Sequence, residues 1–264
     1  MAIFDIAACA ALIDDVTAIV ARATAAIRQS GARSLRRKAD GSPVTAADEA
    51  AEAVIWQGLE DLAPGIPVVS EERSAQNEPH APALENATYF LVDPLDGTRE
   101  FIAGRDEFTV NIALISAGAP ILGVIAAPAV DMTWRGVVGR GADRVSLSGK
   151  GQPVAIRTRT RPGNPLIMVS RSHLDDRTKA YLARLSHGLP QPCGSSIKFC
   201  RIAEGAADLY PRLAPTHDWD VAAGHAIVVA AGGDVRAADG SALVYGAPNR
   251  LIPDFIVRGD PNKG

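Results

Sequence analysis

Tyr89-Phe90-Leu91-Val92-Asp93-Pro94-Leu95-Asp96-Gly97-Thr98 is the stretch on which the reading of this chain turns. Its first four residues are apolar and predict a buried strand. The strand delivers two carboxylates into a turn, because Pro94 fixes its φ and Gly97 permits backbone shapes barred to other residues. Charge of one sign at the end of a buried strand is costly unless something positive neutralises it. No Lys or Arg separates the two aspartates, and Arg99 follows only at the far end of the turn. A divalent cation is the cheaper partner, since hard cations such as Mg²⁺ take oxygen ligands and hold substrate phosphates. The stretch predicts a metal-dependent phosphatase.

Upstream, residues 3 to 29 are Ala-rich with apolar positions at helical spacing, and Gly31 is a stop signal. Arg33 to Asp40 is basic and polar and predicts a solvated loop or hairpin. Thr45 and Asp48 predict a capping box opening a helix that runs to about Leu62, before Pro64 and Gly65. Pro67 to Ser70 reads as a short buried strand ending at Glu71-Glu72, and Arg73 to Thr88 as a polar loop. Downstream, Phe108 to Ser116 and Pro120 to Pro128 predict neighbouring strands joined at Gly118, and residues 131 to 161 carry further strand and turn signals.

The stretch from Arg157 to Pro165 is the expected boundary between two domains, 1–157 and 158–264. Beyond it, strands at Leu166–Ser170 and Ala207–Tyr210 alternate with helices at Asp175–Ser186, Ser195–Gly205 and Asp218–Ala231, which argues for α/β layers.

The chain has 264 residues, 47% of them hydrophobic, and a net charge of −3, which describes a globular protein without a broad basic face. A nucleic-acid polymer is therefore not the expected partner. Cys9, Cys193 and Cys200 form no Cys-x-x-Cys pair, so neither a zinc site nor a disulfide framework is expected, and a cytoplasmic location fits. Met1 to Val20 carries acids and no basic n-region, so no secretory leader is expected there. The apolar runs are too short to span a bilayer, which leaves the chain compatible with peripheral attachment at the inner face of the membrane.

Four distant places share one grammar, in which a strand end or helix start presents acids: Asp48, Glu71-Glu72, Asp93 with Asp96, and Asp218-Trp219-Asp220. Singly, each has an ordinary alternative. Asp48 serves as a capping acid, Asp218 or Asp220 as a helix N-cap, and Glu72 as a solvated turn residue. The Asp93/Asp96 turn differs, because two acids bracketing Pro-Leu after a buried strand suit a plain turn poorly. An Asp-x-Asp-Gly-Thr motif would indicate an aspartyl-phosphate enzyme. Two residues separate the acids here and the turn lies mid-chain, which excludes that reading.

Val44-Thr45-x-x-Asp48, Ser70-Glu71-Glu72, Asp93-Pro94-Leu95-Asp96-Gly97-Thr98 and Trp219-Asp220-Val221-Ala222-Ala223-Gly224 occur in the order seen in the inositol monophosphatase superfamily, which the chain resembles from about residue 10 to 257. Within it, Arg99-Glu100-Phe101-Ile102, Glu107 to Leu114, Ser170-Arg171-Ser172-His173 and Gly194 to Cys200 are similar to the bacterial 3'(2'),5'-bisphosphate nucleotidases of the CysQ type. The resemblance implies a layered αβαβα sandwich of the inositol monophosphatase / fructose-1,6-bisphosphatase type. The site would lie at the junction of the two halves.

By the same resemblance, Glu71, Asp93 and the Leu95 carbonyl would hold one Mg²⁺, and Asp93, Asp96 and Asp220 a second. Glu71 would also contact a third. Thr98 and Asp48 would orient and deprotonate the attacking water, with Glu72 supporting them, and two such ions suit an in-line displacement at phosphorus. Gly97 and Thr98 would offer amides to the phosphate, and Ser195, Lys198, Arg212, Arg171 and His173 would line the substrate side, with His217 nearby. Cations there suit a second phosphate. The alternative for Lys198 and Arg212 is surface pairing with Glu204 and Asp208.

The implied reaction is Mg²⁺-dependent, lithium-sensitive removal of the 3'-phosphate of adenosine 3',5'-bisphosphate, recycling a by-product of sulfate assimilation, by a monomer or homodimer. The alternatives are an inositol-1-phosphate or sugar phosphatase of the same superfamily and a non-catalytic metal- or nucleotide-binding protein.

Overall fold

Alternation along the strands decides the layering. In the strand that opens the decisive stretch, Phe90 and Val92 pack into one core while Tyr89 and Leu91 pack into another, the period-two pattern of a sheet buried on both faces. The structure, a computed structural model, describes residues 6–31, 35–38, 41–75, 87–260 and 262. Residues 3–5, part of the expected loop at 33–40 and most of the expected loop at 73–88 lie outside the described residues.

Helix α1 (Ile6–Ser30) is followed by a hairpin, β1 (Arg36–Arg37) with β2 (Pro43–Val44), and by α2 (Ala46–Leu62). The first sheet is seven-stranded: β3 (Val68–Ser70), β4 (Thr88–Asp96), β5 (Thr109–Ser116), β6 (Ala119–Ala127), β7 (Met132–Val137), β8 (Gly141–Ser146) and β9 (Val154–Ile156), in that order. Only its β3–β4 pair is parallel. Two short helices, α3 (Glu71–Ala75) and α4 (Thr98–Ile102), leave the ends of β3 and β4.

The second half supplies β10 (Leu166–Ser170), α5 (Asp176–Arg184), β11 (Leu189–Cys193), α6 (Ile197–Ala203) and β12 (Leu209–Arg212). After them come β13 (Thr216–His217), α7 (Ala222–Ala230), β14 (Asp234–Ala237), β15 (Leu251–Ile252) and β16 (Phe255–Arg258). Its main sheet runs β11-β10-β12-β16-β14, with β10 parallel to both β11 and β12, and β13 pairs with β15 in a separate ribbon.

Three clusters of buried side chains bind five layers. α1 and α2 cover one face of the first sheet through Val16, Val20, Ile27, Ile55 and Leu59. α6 and α7 fill the space between the two sheets, where Phe199 and Ile227 meet Leu91 on one side and Tyr210, Phe255 and Val257 on the other. α5 covers the outer face of the second sheet over Ile167, Val169, Leu209 and Ile256. The result is the expected αβαβα sandwich. The α7 layer lies unusually close to the first sheet: a Cβ on Gly123 would stand 2.2 Å from the Ala223 carbonyl oxygen, and one on Gly136 2.7 Å from the Ile227 Cα.

Several sequence expectations are corrected here. The helix expected from Asp218 begins as a 3-10 turn over Asp218–Asp220, and α7 proper starts at Ala222. The strand expected at Ala207 starts at Leu209. Glu71 and Glu72 open a helix rather than a plain turn. The Pro-rich strand β11 carried no clear signal; it sits at a sheet edge, where proline's missing donor costs little.

Candidate active site

Where β4 ends, its pairing with β5 slips. Asp93 faces Asn111 and Asp96 faces Thr109, with a register shift between them. That bulge lets both aspartates project from one strand end. The Asp93 carboxylate accepts the Leu95 amide at 3.1 Å. Gly97 follows with φ 89°, and a Cβ there would approach the Glu107 carbonyl oxygen at 2.9 Å and the Ser195 Cβ at 3.3 Å. Both the backbone conformation and the space demand glycine.

β3 runs parallel to β4 with Ser70 opposite Val92, so Glu71 emerges beside Asp93. From the second half, the turn after β13 brings in Asp220, whose Oδ2 accepts the Thr216 hydroxyl and the His217 amide, the latter at 3.1 Å. Ligand oxygens of Glu71, Asp93 and Asp220 lie within 4.8 Å of one another. Asp96 joins them through Ser196, whose hydroxyl lies 2.8 Å from Asp96 Oδ2 and 2.9 Å from the Asp220 carbonyl and accepts Asn111 Nδ2 at 3.0 Å.

Such crowding leaves the negative charge only partly compensated by Lys38 and Lys198. Burial, then the charges of Glu71, Asp96 and Asp220, push the Asp93 carboxyl well up. Glu71 is raised to about 8, first by desolvation, with Lys38 opposing and Glu72 and Asp220 adding to it. Asp96 is raised to about 6 by burial and then by Asp220, against Lys198.

Asp48 fulfils its capping role: Oδ2 accepts the Thr45 amide at 2.8 Å and the Thr45 hydroxyl at 2.6 Å. Its other oxygen receives the Thr98 hydroxyl at 3.1 Å, and that hydroxyl lies 3.2 Å from the Leu95 carbonyl. The capping acid thus also holds Thr98 beside the carboxylate cluster. Burial raises its carboxyl, with the Thr45 hydrogen bonds opposing.

Lys38 overturns one expectation. It lies in the segment read as solvated, yet its side chain is 8% exposed and its ammonium reaches Glu71 at 2.6 Å and Glu72 at 2.7 Å. Glu72, in turn, is buried rather than a free turn residue. Burial pulls the Lys38 ammonium down, but the two carboxylates outweigh it and raise it overall.

A cavity of about 290 Å³ opens beside the carboxylates and is also lined by Gly97, Thr98, Arg99, His173, Ser195, Lys198, Arg212 and His217. Lys198 is buried, reaches the Cys193 and Ser195 carbonyls, and lies 5.3 Å from the centroid of the Tyr210 ring. Arg212 donates to the Ala214 and Pro215 carbonyls and to Ser170 Oγ. The alternative partners are engaged elsewhere, Glu204 by Arg144 and Arg201 and Asp208 by Arg159. Among the described residues neither Lys198 nor Arg212 forms an ion pair.

His173 Nε2 stands 3.2 Å from Arg99 and is lowered by burial and then by Arg212 and Arg99. Arg171 is not brought into this cavity: it makes a bidentate pair with Glu107 at 2.6 Å and donates to the Pro192 carbonyl. Sequence reasoning missed Lys38, Arg99, Asn111, Ser196 and Thr216 as site members. Arg99, adjacent to the turn, and Asn111 and Ser196, inside stretches that carry the family resemblance, had a signal; Lys38 and Thr216 had none.

The family model for the inositol monophosphatase family matches residues 3–257. A 3'(2'),5'-bisphosphate nucleotidase CysQ of Salmonella typhimurium is 48% identical over 79% of this chain and 82% of its own length. That of Escherichia coli K12 is 47% identical over 79% and 81%. The crystal structure of CysQ from Bacteroides thetaiotaomicron superposes with a TM-score of 0.74 at 35% identity, covering 93% of this chain and 96% of that one. An IMPase of Thermotoga maritima, 22% identical with a TM-score of 0.75 over 94% and 92%, shares the fold. The chain belongs to the inositol monophosphatase family, as the order of its acidic motifs implies.

Proposed function

We propose that this chain is a Mg²⁺-dependent phosphatase that removes the 3'-phosphate of adenosine 3',5'-bisphosphate, yielding AMP and phosphate. The observation that carries the reading is one cavity holding both a carboxylate cluster and two cations, Lys198 and Arg212, that form no ion pair among the described residues. A substrate with two phosphates needs both. The named relatives act, by their descriptions, on 3'(2'),5'-bisphosphate nucleotides.

The donor set fits a hard divalent cation. It is all oxygen, burial and then the neighbouring acids push the Asp93 and Asp96 carboxyls upward, and oxygen ligands are what Mg²⁺ takes. Glu71, Asp93, Asp96, Asp220 and the Leu95 carbonyl would hold it. When bound, Mg²⁺ supplies Lewis acidity toward the phosphate and toward the attacking water.

The chain's own groups do the rest. Thr98 orients the attacking water and passes its proton to Asp48, whose raised carboxyl is a stronger base than an exposed aspartate. Lys198, Arg212 and Arg99 hold the second phosphate and so fix the ester in line with the water. Burial of the acids keeps these charges in a medium where they act strongly.

The test is phosphate release by purified protein in Mg²⁺ from adenosine 3',5'-bisphosphate, inositol 1-phosphate and fructose 1,6-bisphosphate, with Li⁺ expected to inhibit. Preference for inositol 1-phosphate would sink the assignment, and tight nucleotide binding without release would mark a binding protein. Arg212→Glu should depress the nucleotide reaction selectively.

A further inference from the structure

Beside the turn that carries Asp220, five buried polar atoms have no hydrogen-bond partner among the described residues: both Asp218 carboxylate oxygens, Arg250 Nη1 and Nη2, and the Tyr89 hydroxyl. Asp218 is 1% exposed, Arg250 6% and Tyr89 0%. Buried polar groups are rarely left orphaned, and ordered water is the usual remedy. Arg250 Nη1 stands 3.9 Å from Asp218 Oδ2. That is too long for a direct hydrogen bond and suits one water touching both.

The same residues anchor the turn that carries Asp220. The Asp218 amide donates to the Arg250 carbonyl at 2.8 Å, continuing the β13–β15 ribbon, and the Asp218 carbonyl accepts the Val221 amide at 3.2 Å. Arg250 holds this place with φ 56°, a left-handed backbone that non-glycine residues adopt seldom. Tyr89 stands on β4 on the same face as Leu91 and Asp93, by strand alternation. Beyond burial, the Tyr89 phenol is pushed up by the charge of Asp218 and drawn down by Arg250, so the three groups are neighbours, and water held among them would join the strand of Asp93 to the turn of Asp220.

We propose that Asp218 and Arg250, bridged by buried water that the Tyr89 hydroxyl also holds, form a positioning pair that sets Asp220 for metal binding. The inference rests on the metal-site reading above, and its test separates the two. Mn²⁺ alone is the probe, with bound and free ion distinguished by electron paramagnetic resonance on the full chain.

Asp220→Asn examines the site itself: unchanged Mn²⁺ binding there would end the metal reading. With Asp220→Asn weakened, Asp218→Asn and Arg250→Met should each weaken Mn²⁺ binding ~10-fold, the scale seen for partners that orient ligands. The double variant should lose less than the product of the two, because the pair acts as a unit. Single variants that melt earlier yet bind Mn²⁺ within about twofold of the parent overturn the proposal, since a merely structural pair moves only the melting point. Tyr89→Phe keeps the ring and removes one water contact. It carries the test if the charged variants do not fold, with a loss of ~3-fold expected and unchanged binding counting against the pair.

Discussion

The two turns that supply the site are held in opposite ways. The first is the bulged end of β4, where Asp93 and Asp96 still pair with β5 before the break at Gly97, on a strand flanked by β3 and β5 in a seven-stranded sheet. The Thr216–Asp220 turn rests on a ribbon of two residue pairs and is fastened by side chains: the Thr216 hydroxyl to Asp220, and Asp218 near Arg250. The first is positioned by backbone that the whole sheet enforces. The second is positioned by contacts that single substitutions remove. In this site the sheet fixes where charge is concentrated, and the lighter turn closes the cluster around it.

The sharpest break of the contrast is Asp93→Asn, which removes the acid shared by both halves of the cluster. Phosphate release should fall at least ~10³-fold, about 4 kcal/mol of transition-state stabilisation, and parental turnover would refute the site. Lys38→Met comes next, because it leaves Glu72 buried without its cation. Calorimetry in chelator should show a loss of about 3 kcal/mol, partly restored by Mg²⁺. No difference between chelator and Mg²⁺ would place Lys38 outside the metal's reach.

Gly97→Ala tests the stiffness of the sheet-borne turn. The left-handed backbone alone costs about 1–2 kcal/mol, and the Glu107 carbonyl at 2.9 Å from the new Cβ adds to it. Thr216→Val probes the lighter turn: the midpoint of Mg²⁺ activation should rise ~10-fold with little change in melting temperature. If Thr216→Val destabilised the fold as much as Gly97→Ala, the contrast between the turns would fail.

Both halves of the cluster are tested together by a pH dependence of stability. Glu71 is raised to about 8, first by its enclosure, and Asp96 to about 6, first by burial. Both bind protons more tightly folded than unfolded. In chelator, stability is therefore full below the ordinary carboxyl range and is lost as pH rises through about 6 and then about 8. Mg²⁺ should flatten this slope in thermal melts. A flat profile in chelator would show that the acids are not crowded in solution.

What the residues alone settled is local. The capping box of Thr45 and Asp48 works within one turn of helix, whereas the turn expected over Asp93–Thr98 is a bulged continuation of β4 through Asp96 that breaks only at Gly97. Strand periodicity in Tyr89 to Val92 reports burial on both faces without reference to any partner. The five-layer order was legible through the family resemblance of the motifs. Only tertiary structure could decide which cation meets which acid, because those pairings join residues far apart in the chain. Lys38 reads as solvent-facing until the sheet brings Glu71 and Glu72 to it, and Arg171 reads as a substrate contact until Glu107 takes its guanidinium. Ser196 gains meaning only when packing places it between Asp96 and Asp220. Charge–charge energies depend on distance and surrounding dielectric, and neither exists until the two halves close on each other.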